Sequence, residues 1–276
     1  MKKVIVTLAS GTHNSYLDMS RSRLIEYGQK HNYDVQVIDE VLTIDRPPAW
    51  SKILLIQKLL KAYDIVLWID SDAVIIDPST DILNEIDLDK TELALVEHSY
   101  AGQTHPNCGV MLFRRTESIL QFLDVVWQQV DLINHPWWEQ AAILRCLGID
   151  SEALPIGPGN IPSRPLIDVK FLDKKWNAIR QDYPQYNIKI RHFAGEPHEI
   201  RNFLISSLTL DNSTSQETFQ VGMRQIVEFD SIIAERNSVI AELIAERDRL
   251  LTSISWKLTK PLRGLHKRFF GKIEKN

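Results

Sequence analysis

The chain has 276 residues, of which 44% are hydrophobic and 25% charged, as in an ordinary globular protein with one large domain and an additional segment. Its formal net charge of −4 is uneven, because residues 256–276 carry seven Lys or Arg and one Glu, a net +6 against −10 for the rest. An acidic body without a basic stripe argues against nucleic acid as its partner.

Targeting and redox signals are weak in this sequence. The apolar stretch at residues 4–9 is too short for the core of a signal peptide, and no run approaches the ~18 apolar residues of a membrane span. Cys108 and Cys146 are too few for a disulfide framework and lie in apolar surroundings, so we expect both to be reduced and buried. These features predict a cytoplasmic protein.

Segments typical of strands and helices alternate over the first 70 residues. The predicted elements are a strand at 2–10, a helix at 16–32, a strand at 33–39, a helix at 51–63 and a strand at 64–70. Ser51 is the predicted N-cap of the second helix. This alternation predicts an α/β fold with a mainly parallel sheet, and the unbroken apolar run IVLWI indicates a central strand that is covered on both faces.

The central strand ends in DIVLWIDSD, which places Asp70 and Asp72 where ligands bind in such sheets, beyond the carboxyl ends of the strands. In an extended chain, residues i and i+2 point to the same side, so the two carboxylates would converge. Two anions that close raise each other's pKa unless a cation lies between them. A divalent metal is the natural occupant, and helix capping or turn formation is the alternative.

The D-x-D pattern alone has little specificity, since about 1.4 occurrences are expected by chance in a chain with this aspartate content. The sequence contains two. Asp87 and Asp89 form the second pair, in the polar stretch NEIDLDKTE, where solvated surface charge is the simple interpretation. Only the first pair follows a buried strand.

Two later segments predict strands with notable residues. Residues 107–116 predict a strand in which Gly109 would allow a ligand or backbone to approach closely, with a bulge as the alternative. Residues 186–196 predict a strand that runs up to His192. A single histidine is more often structural than a metal ligand. His192 is therefore a candidate ligand only if other ligating groups lie beside it.

Residues 135–148 predict a helix with Pro136 in its first turn and Gly148 as its stop. Glu139 and Gln140 would lie near its positive N-terminal end. Favourable interaction with the helix dipole alone would explain residues of these types there.

Five motifs follow one another along the chain: WSKILLIQKLL, DIVLWIDSDAVIID, NCGVMLFRRT, WWEQAAI and RHFAGE. In this order they resemble the GT-A glycosyltransferases, and most closely the bacterial-type members of the galactosyl/xylosyltransferase family, glycosyltransferase family 34. The resemblance covers about residues 1–205. It implies a Rossmann-like GT-A domain with a mixed, mostly parallel sheet, a nucleotide-diphospho-sugar donor such as a UDP-sugar, a D-x-D metal site, and sugar transfer with retention. Glu196 departs from the family pattern, which commonly has Cys there.

The resemblance also implies roles for individual residues. The metal ligands are Asp70, Asp72 and His192, and residues on the donor-sugar side are Asn107, Gly109, Glu139 and Gln140. A mixed carboxylate and imidazole set suits Mn²⁺, with Mg²⁺ as the alternative. Asp70 would reach the metal through water or hold the ribose. Gln140 would stabilise an oxocarbenium-like centre, and Glu139 would be the base if the enzyme inverts.

The nucleotide is expected over the loop after the first strand, LASGTHNSY. Its candidate contacts are Ala9, Ser10 and Tyr16. Lys52 would either reach phosphate or be a solvated lysine on a first helical turn.

Three other functions compete with this one. A nucleotidyltransferase of similar fold would carry a Gly-rich phosphate loop after the first strand, where this chain has only Gly11. A non-catalytic adaptor would have lost a metal ligand, yet all three are present. A two-metal hydrolase would carry H-x-H or H-D, and the chain has neither.

The composition changes after residue 205. Residues 206–222 predict a polar linker, and residues 255–276 a basic aromatic tail. Between them, residues 223–254 predict a helix. This helix would either form a short coiled coil and so a homo-oligomer, or dock on a partner. With Trp256 and Phe269 among its basic residues, the tail would lie on an anionic membrane and bring the enzyme to lipid-linked glycan acceptors, or it would be a disordered solubilising end.

Overall fold

The computed structural model describes residues 1–100, 103–151, 154–159, 161, 167–179 and 187–209, together with 232, 236, 238–240 and 242–249. The chain divides into two compact units, Met1–Met223 and Arg224–Asn276. The predicted tail at 255–276 and residues 210–222 of the predicted linker lie outside the described residues.

The first unit contains eight described strands and five described α-helices. The strands are β1 (Lys3–Leu8), β2 (Asp34–Ile38), β3 (Ile65–Ile69), β4 (Ala73–Ile75), β5 (Leu93–Tyr100), β6 (Gln103–Arg114), β7 (Val169–Leu172) and β8 (Ile190–His192). The helices are α1 (Asn14–His31), α2 (Ser51–Leu60), α3 (Glu117–Trp127), α4 (Trp138–Leu147) and α5 (His198–Thr209).

Six strands form the main sheet in the order β2-β1-β3-β6-β5-β7. Strand β1 is parallel to β2 and β3, and β5 is parallel to β7, whereas β6 is antiparallel to both of its neighbours. Strands β4 and β8 form a separate antiparallel ribbon. The predicted α/β fold with a mixed, mostly parallel sheet is confirmed.

Strand β3 is central because both of its faces are apolar. Val66 and Trp68 belong to a core that includes side chains of α2, α3 and α4, and Ile65, Leu67 and Ile69 belong to a core that includes side chains of α1, β4 and β8. All five side chains are buried, and each contributes ~1.5–3 kcal/mol by leaving water. The carboxyl end of this well-anchored strand is therefore a rigid base for Asp70.

One predicted cap and one predicted helix start are wrong. Ser51 is the first residue of α2 and not its cap, and its hydroxyl accepts a hydrogen bond of 3.0 Å from the backbone N–H of Leu42. Pro136 lies two residues before α4, which begins at Trp138. The predicted stop at Gly148 is confirmed, since this residue is the left-handed C-cap with φ of 82°.

Helix α5 continues to Thr209, so the first residues of the predicted linker are helical. In the second unit, residues 238–240 and 242–249 are helical, with Ile240, Leu243 and Ile244 exposed. Of the helices described here, none combines the length and apolar character required to cross a bilayer.

Candidate active site

Asp70 and Asp72 lie in a tight turn between β3 and β4. The N–H of Ala73 donates to the carbonyl of Asp70 at 2.9 Å and closes the turn, while the N–H of Asp70 donates to the carbonyl of Gly109 at 2.8 Å. The two carboxylates therefore converge because the chain turns. The sequence-based argument from an extended chain was wrong in its geometry, although the pair it named does converge.

The ribbon of β4 and β8 brings His192 to this turn. Ala73 is paired with His192, and the N–H of Phe193 donates to the carbonyl of Asp72 at 3.0 Å. The Nε2 atom of His192 lies 3.3 Å from Oδ1 of Asp72 and 3.8 Å from Oδ2 of Asp70. The three predicted metal-ligating residues thus form one cluster, with one ligand atom of each within 4.8 Å of the others.

The donor set of this cluster fits a divalent cation. Carboxylate oxygens with one imidazole nitrogen suit Mn²⁺ better than the oxygen-preferring Mg²⁺. The Asp70 side chain retains 26% of its exposure, which leaves an approach from solvent. The second D-x-D pair behaves as surface charge, since Asp87 pairs with Lys90 at 3.0 Å and their side chains are 53% and 83% exposed.

Asp72 also contacts a cation from α5 that sequence reasoning missed. The Nη1 atom of Arg201 lies 3.0 Å from Oδ2 of Asp72. Burial alone would raise the pKa of the Asp72 carboxyl, but His192 and Arg201 hold this pKa well below its usual range. Asp72 is therefore ionised and ready to ligate a cation.

Gly109 makes room for the imidazole. A Cβ at Gly109 would lie 2.1 Å from Cε1 and 2.3 Å from Nδ1 of His192, so only glycine fits. The close approach predicted at Gly109 is confirmed, and the approaching group is a side chain of the same protein. The predicted bulge is also present, because the adjacent residues Leu95 and Val96 of β5 pair with Met111 and Asn107 of β6.

Two of the residues predicted to lie near the donor sugar, Gln140 and Asn107, stabilise this bulge by hydrogen bonds to its backbone. Oε1 of Gln140 accepts a hydrogen bond of 3.0 Å from the N–H of Cys108, and Oδ1 of Asn107 accepts one of 2.9 Å from the N–H of Gly109. Helix α4 and strand β6 are thereby fixed to each other beside the metal cluster.

Lys52 is a buried ion-pair partner, and its interpretation as a solvated lysine is wrong. Its side chain is 6% exposed, with Nζ 3.0 Å from Asp70 and 2.8 Å from Glu139. Burial opposes the charge on Lys52, but the two carboxylates raise its pKa above the usual value. Burial raises the pKa of Glu139, whose Oε2 atom has no hydrogen-bond partner among the described residues.

The predicted nucleotide loop lies next to the cluster. Ser10 is half-buried after β1, whereas Ala9 and Tyr16 are buried, at 0% and 1% exposure. The hydroxyl of Tyr16 bonds with Nδ1 of His198 on α5, so its ring is not exposed for stacking on a base. Nδ1 of His13 lies 3.4 Å from the hydroxyl of Ser71, which joins the loop to the D-x-D turn.

Asn177 is a second residue that sequence reasoning missed. It is fully buried, and its side chain lies between Asn107 and His192. Neither Asn177 nor Arg201 belongs to a quoted motif, and each reaches the cluster only through the fold. A polar residue among the apolar neighbours Trp176, Ala178 and Ile179 was the sole signal for Asn177.

Comparisons with known proteins agree with this architecture. Residues 2–105 match the sequence model of the galactosyl transferase GMA12/MNN10 family. None of the curated protein sequences matches the chain.

Among solved structures, the chain is similar to a glycosyltransferase involved in the glycosylation of the major capsid of PBCV-1, with 18% identity, 74% of this chain and 98% of that chain covered, and a TM-score of 0.58. It is also similar to the galactosyltransferase LgtC, at 14% identity, with 79% and 99% covered and a TM-score of 0.47. Mouse xyloside xylosyltransferase 1 is similar at 12% identity, with 71% and 98% covered and a TM-score of 0.42.

The likeness to the PBCV-1 enzyme shows the fold, because more than half of this chain superimposes on nearly all of that one. The family match supplies the link to an enzyme class and covers the loop after β1 and the D-x-D turn. Residues 2–105 therefore carry the sequence pattern of the galactosyl transferase GMA12/MNN10 family on a GT-A fold, which confirms the predicted resemblance and the predicted class of enzyme, a glycosyltransferase.

Proposed function

We propose that the protein transfers a sugar from a nucleotide-diphospho-sugar, with a UDP-sugar as the expected donor, to a glycan or lipid-linked glycan acceptor, with retention and with the help of a divalent metal. The observation that carries this proposal is the cluster of Asp70, Asp72 and His192 at the carboxyl end of the central strand. This is where the fold class binds its ligands.

Asp70, Asp72 and His192 would hold the metal, with Mn²⁺ favoured by the donor set. When bound, such an ion neutralises the negative charge that builds on a departing nucleoside diphosphate. The chain's own residues prepare this site. Asp72 is kept ionised, and Lys52 holds the Asp70 carboxylate from the buried side at 3.0 Å.

The sugar would lie against the start of α4. Since Oε1 of Gln140 accepts from the N–H of Cys108, its amide NH₂ group is the part oriented to donate to a sugar hydroxyl. Glu139 is 4% exposed and bonded to Lys52, so it is poorly placed to take a proton from an acceptor as an inverting reaction requires. This geometry supports retention.

The nucleotide would lie over the loop after β1. Ser10 is the half-buried candidate contact there, and Ala9 and Tyr16 would support the loop from beneath. Asn107 and Gly109 would act mainly by shaping the wall of β6 behind His192.

Location and partners complete the proposal. The protein would be cytoplasmic and would reach lipid-linked acceptors through residues 255–276, whose net charge and aromatic residues suit an anionic membrane surface. Residues 223–254 would form a short coiled coil between copies of the chain or dock on a partner.

Donor hydrolysis over a panel of nucleotide sugars, with and without Mn²⁺, tests the reaction. We expect at least one donor to be hydrolysed only with the metal, and Asp72→Asn and His192→Ala each to abolish this activity. The double variant should be little worse than either single one, because both ligands serve one ion.

Asp87→Asn is the matched control, since it alters the other D-x-D pair at an exposed position and should leave hydrolysis unchanged. Full activity of Asp72→Asn in the presence of chelator would contradict the proposal. The anomeric configuration of the transfer product, read by NMR, separates retention from inversion.

A further inference from the structure

A chain of hydrogen bonds links the backbone of β6 to His192 through two buried asparagines. Nδ2 of Asn177 lies 2.9 Å from Oδ1 of Asn107 and 3.3 Å from the Asn107 carbonyl. On its other side, Oδ1 of Asn177 lies 2.9 Å from Nδ1 of His192. Asn177 is fully buried, so water does not compete for these bonds.

The direction of this chain is fixed by backbone groups. The N–H of Gly109 can only donate, so the side-chain atom of Asn107 that faces it at 2.9 Å must be the oxygen. That oxygen and the Asn107 carbonyl both require a donor, so Asn177 turns its NH₂ group toward them. The oxygen of Asn177 then faces His192, and Nδ1 of the imidazole must carry the hydrogen.

This assignment determines what His192 presents to the carboxylates. A neutral imidazole with hydrogen on Nδ1 has its lone pair on Nε2, the atom that lies 3.3 Å from Asp72 and 3.8 Å from Asp70. With this lone pair, Nε2 and the two carboxylates offer three ligand atoms to one cation, all within 4.8 Å of one another. The orientation of Asn177 thus makes His192 a ligand for a cation.

We propose that Asn177 is a positioning residue, which fixes the tautomer and ring orientation of His192 and thereby increases the affinity of the cluster for its metal. The inference rests on the proposed metal-dependent function. Partners that orient ligating histidines in this way typically change metal affinity by about 10- to 100-fold. Gly109 assists, because its missing Cβ lets the ring lie against β6.

Isothermal titration of the full-length protein with Mn²⁺ tests this role. Asn177→Ala removes the acceptor for Nδ1–H and should raise the dissociation constant about 10- to 100-fold. Asn177→Asp keeps that acceptor and should raise it less than Asn177→Ala does. Gln129→Ala is the matched control, since Gln129 is an equally buried amide that bonds to Val125 and Arg145 instead. It should lower the melting temperature and leave Mn²⁺ affinity unchanged.

A second measurement needs no variant. In protein labelled with ¹⁵N and loaded with Mg²⁺, the proton of His192 should be found on Nδ1. A proton on Nε2, or Mn²⁺ affinity in Asn177→Ala equal to that of the wild type, overturns the positioning role and leaves the proposed function standing. If the wild type binds no divalent cation, the positioning role and the proposed metal-dependent function fail together.

Discussion

At the scale of single residues, the contact between Gly109 and His192 is the least tolerant of change. Gly109→Ala places a Cβ 2.1 Å from the imidazole, so the ring or strand β6 must move. We expect this variant to lose about 1–3 kcal/mol of unfolding free energy through overpacking. It should also lose most of its Mn²⁺ affinity, because the ring is displaced. Urea denaturation and Mn²⁺ titration measure the two effects.

Gly157→Ala is the control for this variant. Gly157 has φ of 68° and nothing within 4 Å of an added Cβ, so alanine there introduces backbone strain alone. It should cost about 1–2 kcal/mol of stability without changing Mn²⁺ affinity. Normal metal binding by Gly109→Ala would show that His192 does not need the space.

The second residue-scale prediction concerns Lys52. Lys52→Met leaves the Asp70 and Glu139 carboxylates without their shared cation, and removal of one partner from a buried ion pair typically costs about 3–5 kcal/mol. Adding Glu139→Gln should recover part of this loss, because one of the two orphaned charges disappears. Urea denaturation of the single and double variants measures both values.

Lys90→Met serves as the exposed control and should change stability by less than about 0.5 kcal/mol. If Lys52 serves mainly as a phosphate ligand, Lys52→Met will instead raise KM for the donor and leave stability nearly unchanged. The buried contacts with two carboxylates favour the structural outcome.

Residues that belong to a motif were the ones whose clustering could be predicted from the sequence. Asp70 and Asp72 follow the central strand directly, and His192 lies in a motif of the resembled family, so all three were found. Asn177 and Arg201 were not, because neither lies in such a motif and each reaches the cluster only through the fold. A contact of that kind depends on tertiary structure, which spacing in the sequence does not encode.

At the scale of elements, hydrophobic periodicity predicted those long enough to show it. Strand β1, helix α1 and strand β3 lie within about two residues of their predicted bounds. Strand β4 has three residues, too few for a period of two to appear, and β8 occupies only the last three residues of the strand predicted up to His192, yet together they bring His192 to the turn. The cap predicted at Ser51 failed because its hydroxyl bonds to the N–H of Leu42, and the helix predicted to have Pro136 in its first turn begins at Trp138.

Helix α5 gives the element-scale prediction. It packs on α1 through Tyr16 with His198 and Ser15 with Asn202, and this packing places Arg201 3.0 Å from Asp72. Because a positive charge so close repels a second cation, Arg201→Ala should strengthen Mn²⁺ binding in the absence of donor. The expected gain is on the order of tenfold, or ~1.4 kcal/mol.

Mn²⁺ titration at low ionic strength measures this effect, and raised salt should reduce it. Arg21→Ala on α1 is the control, since Arg21 is 48% exposed and pairs only weakly with Asp18 at 3.8 Å. Weaker Mn²⁺ binding in Arg201→Ala would mean that Arg201 holds Asp72 in its ligating position, contrary to the prediction.

At the scale of the whole molecule, charge separates the chain into two parts. Residues 256–276 carry a net +6, whereas the remainder carries −10 and contains the metal cluster in its first compact unit. Composition alone revealed this division, because charge and Ser/Thr content change sharply along the sequence. The exact boundary could not be predicted, since α5 extends into the segment that resembles a linker.

Truncation after Gly222 tests whether the two parts have separate roles. The first unit ends at Met223, so the shortened chain should retain its fold, its melting temperature and its donor hydrolysis. Each basic residue near an anionic lipid surface contributes ~1 kcal/mol, so the full-length protein should co-sediment with phosphatidylserine-containing vesicles at low salt and release as salt rises. The truncated chain should stay in the supernatant. If the full-length protein also fails to bind these vesicles at low salt, the tail binds a protein partner instead. The enzyme must then reach lipid-linked acceptors in another way.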